Sequence, residues 1–230
     1  MRALSNSDML ELWERGQTLH PMDQGLFALA LASPGSTVDT VADMPLGQRN
    51  RALAQLRHLH FGSRINGRVA CPECGENLEF ELDCMDLISG TGESTQPIEV
   101  DGRSYRLPTS RDLSLAARQS DLDTAARTLV ERCALTSHTL SSAEIEHIGE
   151  EMALADPLAE PQLSFVCALC GHAWSELLDL ATFLWTEIDA RVRRILIDVH
   201  ALASAYGWSE SQILALSEHR RALYLEMVRA

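Results

Sequence analysis

The sequence predicts an α+β fold that is mainly helical, with a small β-element interrupted by an inserted helical block and flanked by N- and C-terminal helical segments. Three observations predict it. Two Cys-x-x-Cys-Gly elements, "VACPECGENLEF" from Val69 and "FVCALCGHAWSE" from Phe165, stand with 92 residues between their cysteine pairs. Alternating apolar residues adjoin each pair, the period of a half-buried strand. Elsewhere apolar residues recur every three or four positions, the period of a helix packed on one face.

Four stretches follow in order. From about Ser5 to His60 the spacing is helical: Leu10 and Trp13, then Pro21 opening "MDQGLFALALA", then "LGQRNRALAQLRHLHFG" with Leu53, Leu56 and His60 on one face. "ASPGSTVDTVADMPLG" interrupts this run with Pro and Gly and reads as a loop. From Arg68 to about Leu107 the period shortens to two in "NLEFELD" and "PIEVDGRSYRL", where Asp101-Gly102 signals a hairpin turn. "SGTGESTQ" between them reads as a flexible loop. "LPTSRDLSLAARQSDLDTAARTLVERCAL" and "LSSAEIEHIGEEMALADP" read as two helices, the second opened by a Ser141/Glu144 capping box.

After the second cysteine pair, Ile188, Val192, Ile195, Val199, Leu202 and Tyr206 form one stripe, and Gly207 stops that helix. Ser209 with Gln212 opens a short helix and Ser217 the last one. The predicted division is therefore residues 1–67 as an N-terminal helical subdomain, 68–181 as the cysteine-bearing β-element with its helical insertion at about 108–160, and 182–230 as a C-terminal helical arm.

The cysteines carry the sharpest chemistry. A Cys-x-x-Cys turn sets two thiolates on one side of a tight loop, and Gly75 or Gly171 supplies the positive φ the turn needs. Two such turns bring four sulfurs to the corners of a tetrahedron, the geometry of a structural zinc site. Cys71, Cys74, Cys167 and Cys170 are the expected Zn2+ ligands, with "NLEFELD" and "WSELLDL" pairing around them, which makes the β-element a zinc ribbon. The long gap is tolerable because loop-closure cost grows only with the logarithm of length. Thioredoxin-like redox chemistry would place one pair at a helix start, whereas both pairs here precede strand-like residues. Two separate disulfides would need an oxidising compartment, whereas the compartment expected here is reducing and keeps thiols free. His172 is a neighbour of the sulfurs, and Cys84 and Cys133, lacking ligand spacing, read as small buried residues.

Composition narrows the function classes. All 19 basic residues are arginine, so a Walker phosphate loop, a Schiff-base lysine and a serine-lysine dyad are excluded. Residues 71–181 hold 21 acids against 6 arginines, and so carry all of the chain's excess negative charge of -14 and one more. Such a segment repels a phosphate backbone, which counts against the rival reading of a zinc-ribbon nucleic-acid-binding or regulatory protein. No run of about 18 uncharged apolar residues occurs, and charges interrupt the N-terminus, so the expectation is a cytoplasmic protein with no membrane contact.

A closed four-thiolate site leaves zinc no open position for water. "EIEHIGEEM" places His147, Glu150 and Glu151 on a solvated acidic face rather than in a protease helix, since a second histidine is missing. His58 and His60, two apart, do not share a helix face. No catalytic constellation stands out, and neither an enzyme nor a small-molecule substrate is expected.

"LELWERGQTLHPMDQGLFALALASPG", "DMPLGQRNRALAQLR", "CPECGENLEFELD", "YRLPTSRDL" and "LIDVHALASAYGWSESQILALSEHRRALYLEMV" together resemble the T-even-type phage baseplate hub assembly chaperones, a family encoded with contractile, phage-tail-like injection systems. The resemblance runs in order through most of the chain, and "YGWSESQILAL…RRALYLEM" is its most distinctive part. It implies a non-enzymatic protein that assists or joins assembly of the baseplate hub, with hub, spike or tail-tube proteins as partners. Within the C-terminal arm, Trp208, Arg220, Arg221 and Tyr224 are the expected partner anchors, being residue types favoured in interface hot spots. The alternative for that arm is packing of its stripe onto the chain's own N-terminal helices.

Overall fold

The computed structural model describes residues 1–89, 97–136 and 138–229. Helices make up 57% of it and strands 15%, the latter in three antiparallel pairs, so the fold is mainly helical α+β as expected. Two compact units divide the chain: Met1–Pro34 with Ala181–Ala230, and Gly35–Leu180. The second break falls one residue from the expected boundary at 181, whereas the expected boundary at 67 lies inside the second unit and the first break comes after Pro34. The first two helices join the C-terminal ones, while the next two join the cysteine-bearing hairpins.

In the first unit, α1 (Asn6–Gly16) opens with Ser5 and Asp8 exchanging side-chain and backbone hydrogen bonds, and α2 (Pro21–Ala32) has Pro at its first position. α9 (Leu180–Tyr206) buries Leu184, Ile188, Val192, Ile195 and Leu202. Trp13 Nε1 donates to Asp189 at 2.7 Å, and the Trp185 ring lies where a Cβ on Gly16 would sit 2.5 Å away. These contacts join α1 to the N-terminal half of α9 through Trp185 and Asp189, which lie beside the stripe. Gly207, at φ 69°, ends the helix by donating to the Ala203 carbonyl. α10 (Glu210–Leu214) carries the Ser209/Gln212 box, and α11 (Glu218–Arg229) follows Ser217, whose hydroxyl accepts from Arg220 N.

The second unit begins with α3 (Val38–Ala42), which falls inside the stretch read as a loop. Thr37 and Thr40 cap it reciprocally, and Val41 is buried; a threonine where glutamate usually closes the box hid the signal. α4 (Leu46–Phe61) is tied to the distant segment 156–159. Gly47 N donates to Asp156 Oδ2 at 2.8 Å, and Asn50 Nδ2 to the Leu158 carbonyl at 2.7 Å. These ties explain why α4 belongs with the hairpins.

Gly62, at φ 80°, turns the chain into β1 (Arg64–Ala70), so strand structure starts before the expected boundary. β2 (Asn77–Asp83) pairs with β1, and α5 (Cys84–Ser89) follows. The loop expected over "SGTGESTQ" lies, from residue 90 to 96, outside the described residues. β3 (Ile98–Val100) and β4 (Arg103–Tyr105) pair across Asp101 and Gly102, both with positive φ, the turn that the Asp-Gly pair signals.

The segment read as one helix from Leu107 is two, α6 (Ser110–Ala116) and α7 (Leu122–Cys133). Asp121 breaks it, its carboxylate accepting from Thr124 N at 2.8 Å and starting a new helix. α8 (Ser142–Ala155) opens with the expected Ser141/Glu144 box. Tyr105, Val130, Cys133, Leu140, Ile145, Ile148 and Met152 form an apolar core among these helices and β4. β5 (Gln162–Val166) and β6 (Ala173–Leu177) then pair as the second cysteine hairpin. Among the described residues no strand bonds join β2 to β6, so the expected pairing of "NLEFELD" with "WSELLDL" is corrected: each pairs with the strand across its own turn, where the register needs no long loop closure.

Candidate metal centre

Two turns of the same design build the site. In the β1–β2 turn, Cys71 N donates to the Glu76 carbonyl at 2.8 Å and Gly75 N to the Cys71 carbonyl at 2.9 Å. In the β5–β6 turn, Cys167 N donates to the His172 carbonyl at 2.8 Å and Gly171 N to the Cys167 carbonyl at 2.9 Å. Gly75 and Gly171 both have φ 74°, a conformation that costs glycine little and other residues more. Each turn therefore presents its two sulfurs on one side.

The turns face each other. All four sulfurs, from Cys71, Cys74, Cys167 and Cys170, lie within 4.8 Å of one another. The shortest separations cross between turns, at 3.7 Å for Cys71 to Cys170 and 3.6 Å for Cys74 to Cys167. Cys71 and Cys167 are buried, whereas Cys74 and Cys170 are exposed. The four predicted ligands are thus brought together as a possible metal site.

The four sulfurs influence one another's ionisation. Backbone N–H groups of Cys170 and Leu169 pointed at the Cys167 sulfur lower its pKa to about 7. At Cys74 the Glu76 N–H favours the thiolate, but desolvation and the neighbouring sulfurs outweigh it and push the thiol up to about 12. Sulfurs this close favour one thiolate and repel each further one until a positive ion enters.

Aromatic rings carry the contact between hairpins. Phe80 of β2 and Phe165 of β5 meet with centroids 5.5 Å apart, and Phe165 meets Trp174 of β6 at 5.5 Å. Phe80 closes over Gly67 on β1, where a Cβ would come within 2.3 Å of its ring. Sequence reasoning missed this cluster, although its members occupy alternate positions on their strands. His172 stacks on Trp174 and stands outside the group of sulfurs.

The remaining candidates occupy ordinary positions. Cys84 and Cys133 are fully buried, and burial raises both thiols, Cys133 to about 12, which leaves them little nucleophilic character. His147 and Glu150 are exposed on α8. Both cysteine pairs lie at hairpin turns rather than helix starts.

Of the expected partner anchors, Arg220 is exposed, and Trp208 and Tyr224 are half-buried against each other with ring centroids 4.9 Å apart. Arg221 is only 4% exposed, with Nε 3.4 Å from Asp198. It therefore ties α11 to α9 from within the groove between them and does not stand on the open surface of the arm. Among the described residues, no helix is long and apolar enough to cross a membrane. The chain matches no family model, no curated protein and no solved structure.

Proposed function

We propose that the four cysteines hold one structural Zn2+ and that the chain is a non-enzymatic, baseplate-associated protein of a contractile, phage-tail-like injection system, assisting or joining assembly of the baseplate hub. The sulfur geometry carries the metal reading. A tetrahedron with Zn–S bonds of about 2.3 Å has edges of about 3.8 Å, and the shortest sulfur separations are 3.6 and 3.7 Å. Four thiolates close the coordination shell, so the ion would fasten two hairpins and leave no position for a reacting water.

The hub reading rests on the resemblance of the sequence, above all "YGWSESQILAL…RRALYLEM", and the closed site is in keeping with an interaction protein. Hub, spike or tail-tube proteins are the partners. The test has two arms. Metal analysis of protein purified without chelator should find one zinc per chain. Co-expression with the hub, spike and tail-tube proteins of the same injection system should give a complex that survives size-exclusion chromatography. Absence of zinc sinks the first arm, and absence of any complex sinks the second. A salt-sensitive complex with DNA or RNA at physiological salt would replace the hub reading with a regulatory one.

A further inference from the structure

The groove between α9 and α11 encloses about 470 Å³ and presents four arginines, Arg191, Arg194, Arg221 and Arg229. Three acids share its lining, and two of them are engaged: Glu218 pairs with Arg191, and Asp198 with Arg221 Nε. Arg194 and Arg229 have no ion-pair partner among the described residues. The decisive atom is Arg221 Nη1, which is buried and donates to no acceptor among the described residues, on a side chain only 4% exposed. A buried guanidinium stays charged, and a buried donor without an acceptor is costly.

We propose that this groove receives a carboxylate side chain of an acidic partner polypeptide. Its oxygens would accept from Arg221 Nη1 within the groove and from Arg194 and Arg229 beside it, the charge-assisted geometry to which arginine is suited. Four guanidinium charges against three carboxylates leave a single positive charge, which one carboxylate neutralises and a doubly charged phosphate overshoots. Leu225 lines the same groove and belongs to the apolar cluster of Leu202 and Ile213, so the methylenes of a glutamate would meet an apolar wall. The inference is independent of the metal centre and of the hub assignment.

The test uses the full chain and fluorescein-labelled hexaglutamate, followed by anisotropy at low salt. Saturable binding is expected, weakened at least tenfold by Arg194→Glu with Arg229→Glu, and changed less than twofold by Arg118→Glu, an exposed arginine of the other unit. Arg194→Gln with Arg229→Gln provides a milder pair should the reversal unfold the chain, and circular dichroism checks each variant. Arg221→Met should weaken binding by a similar factor wherever it remains folded. Failure of hexaglutamate to saturate, insensitivity to the folded groove variants, or equal loss with Arg118→Glu overturns the proposal. So does displacement of the peptide by inorganic phosphate at an equal concentration of anionic groups, which would mark an unselective anion site.

Discussion

The helical core of residues 35–180 and the two cysteine hairpins of the same unit are built on different forces. Tyr105, Val130, Cys133, Leu140, Ile145, Ile148 and Met152 bury one another among β4 and helices α7 and α8, and apolar burial at about 25 cal/mol per Å² suffices to hold such a cluster. In the hairpins only Ile65 among the strand residues is buried, and Val166, Leu169 and Leu177 are more than half exposed. Their remaining buried groups are Cys71 and Cys167 themselves. Isolated two-stranded hairpins are marginal in water, so the sulfurs and the Phe80–Phe165–Trp174 contact have to supply what a core supplies elsewhere. One unit therefore combines a body that buries much apolar area with an appendage that buries little.

The largest expected effect separates the two regions. Chelation, or Cys71→Ser with Cys167→Ser, removes a metal-binding free energy on the scale of about 10–16 kcal/mol seen for structural zinc sites. Hydrogen exchange should then show complete loss of protection over β1, β2, β5 and β6, with α8 changed little. Equal loss in α8 would mean that the metal holds the entire unit.

The converse variant is Ile148→Ala in the helical core. It should cost about 2–5 kcal/mol in denaturant unfolding while the metal content stays at its wild-type value. Loss of metal in the folded variant would break the separation from the other side.

Two buried aspartates in the helical region are expected to respond oppositely to loss of charge. Burial disfavours ionised Asp112, yet Arg106 at 2.6 Å, the Thr109 donors and Arg132 at 2.8 Å more than compensate and hold it below the ordinary carboxylate range. Its stability is fully present above the unfolded pKa near 3.8 and declines as pH falls below that value toward the folded one. Asp112→Asn should cost about 1–3 kcal/mol at neutral pH and flatten this acid limb. Burial raises Asp156, only partly opposed by the Gly47 N–H and by Arg51. The folded state then holds the proton more tightly, and its contribution is lost as pH rises through the raised value. Asp156→Asn keeps an acceptor for Gly47 N and should be neutral or stabilising near pH 7. Thermal unfolding of both variants between pH 3 and 7 tests the opposed signs.

The smallest effect belongs to a turn. Gly75→Ala forces a Cβ into φ 74° at a cost of about 1 kcal/mol, which should weaken metal affinity about fivefold in a chelator competition. Gly171→Ala should match it, because the two turns share one geometry; unequal effects would show that one turn dominates the site.

Interactions that reach no further than five residues were legible in the sequence. The Cys-x-x-Cys-Gly turns, the Asp101-Gly102 hairpin and the capping boxes at Ser141 and Ser209 all formed because the donor, the acceptor and the glycine that permits the turn lie side by side in the chain. Where a local signal departed from the common form it was misread, as at Thr37 and Asp121. Only the tertiary structure decided that α1 joins α9 through Trp13 and Asp189, that Gly47 leaves room for Asp156, and that Arg221 turns inward. It also brought Phe80 to Phe165 and set the four sulfurs within 4.8 Å. An apolar stripe or a cysteine pair states that it needs a partner, but many faces of similar hydrophobicity satisfy that need. The choice among them falls to shape and to polar contacts made across a hundred residues or more of chain.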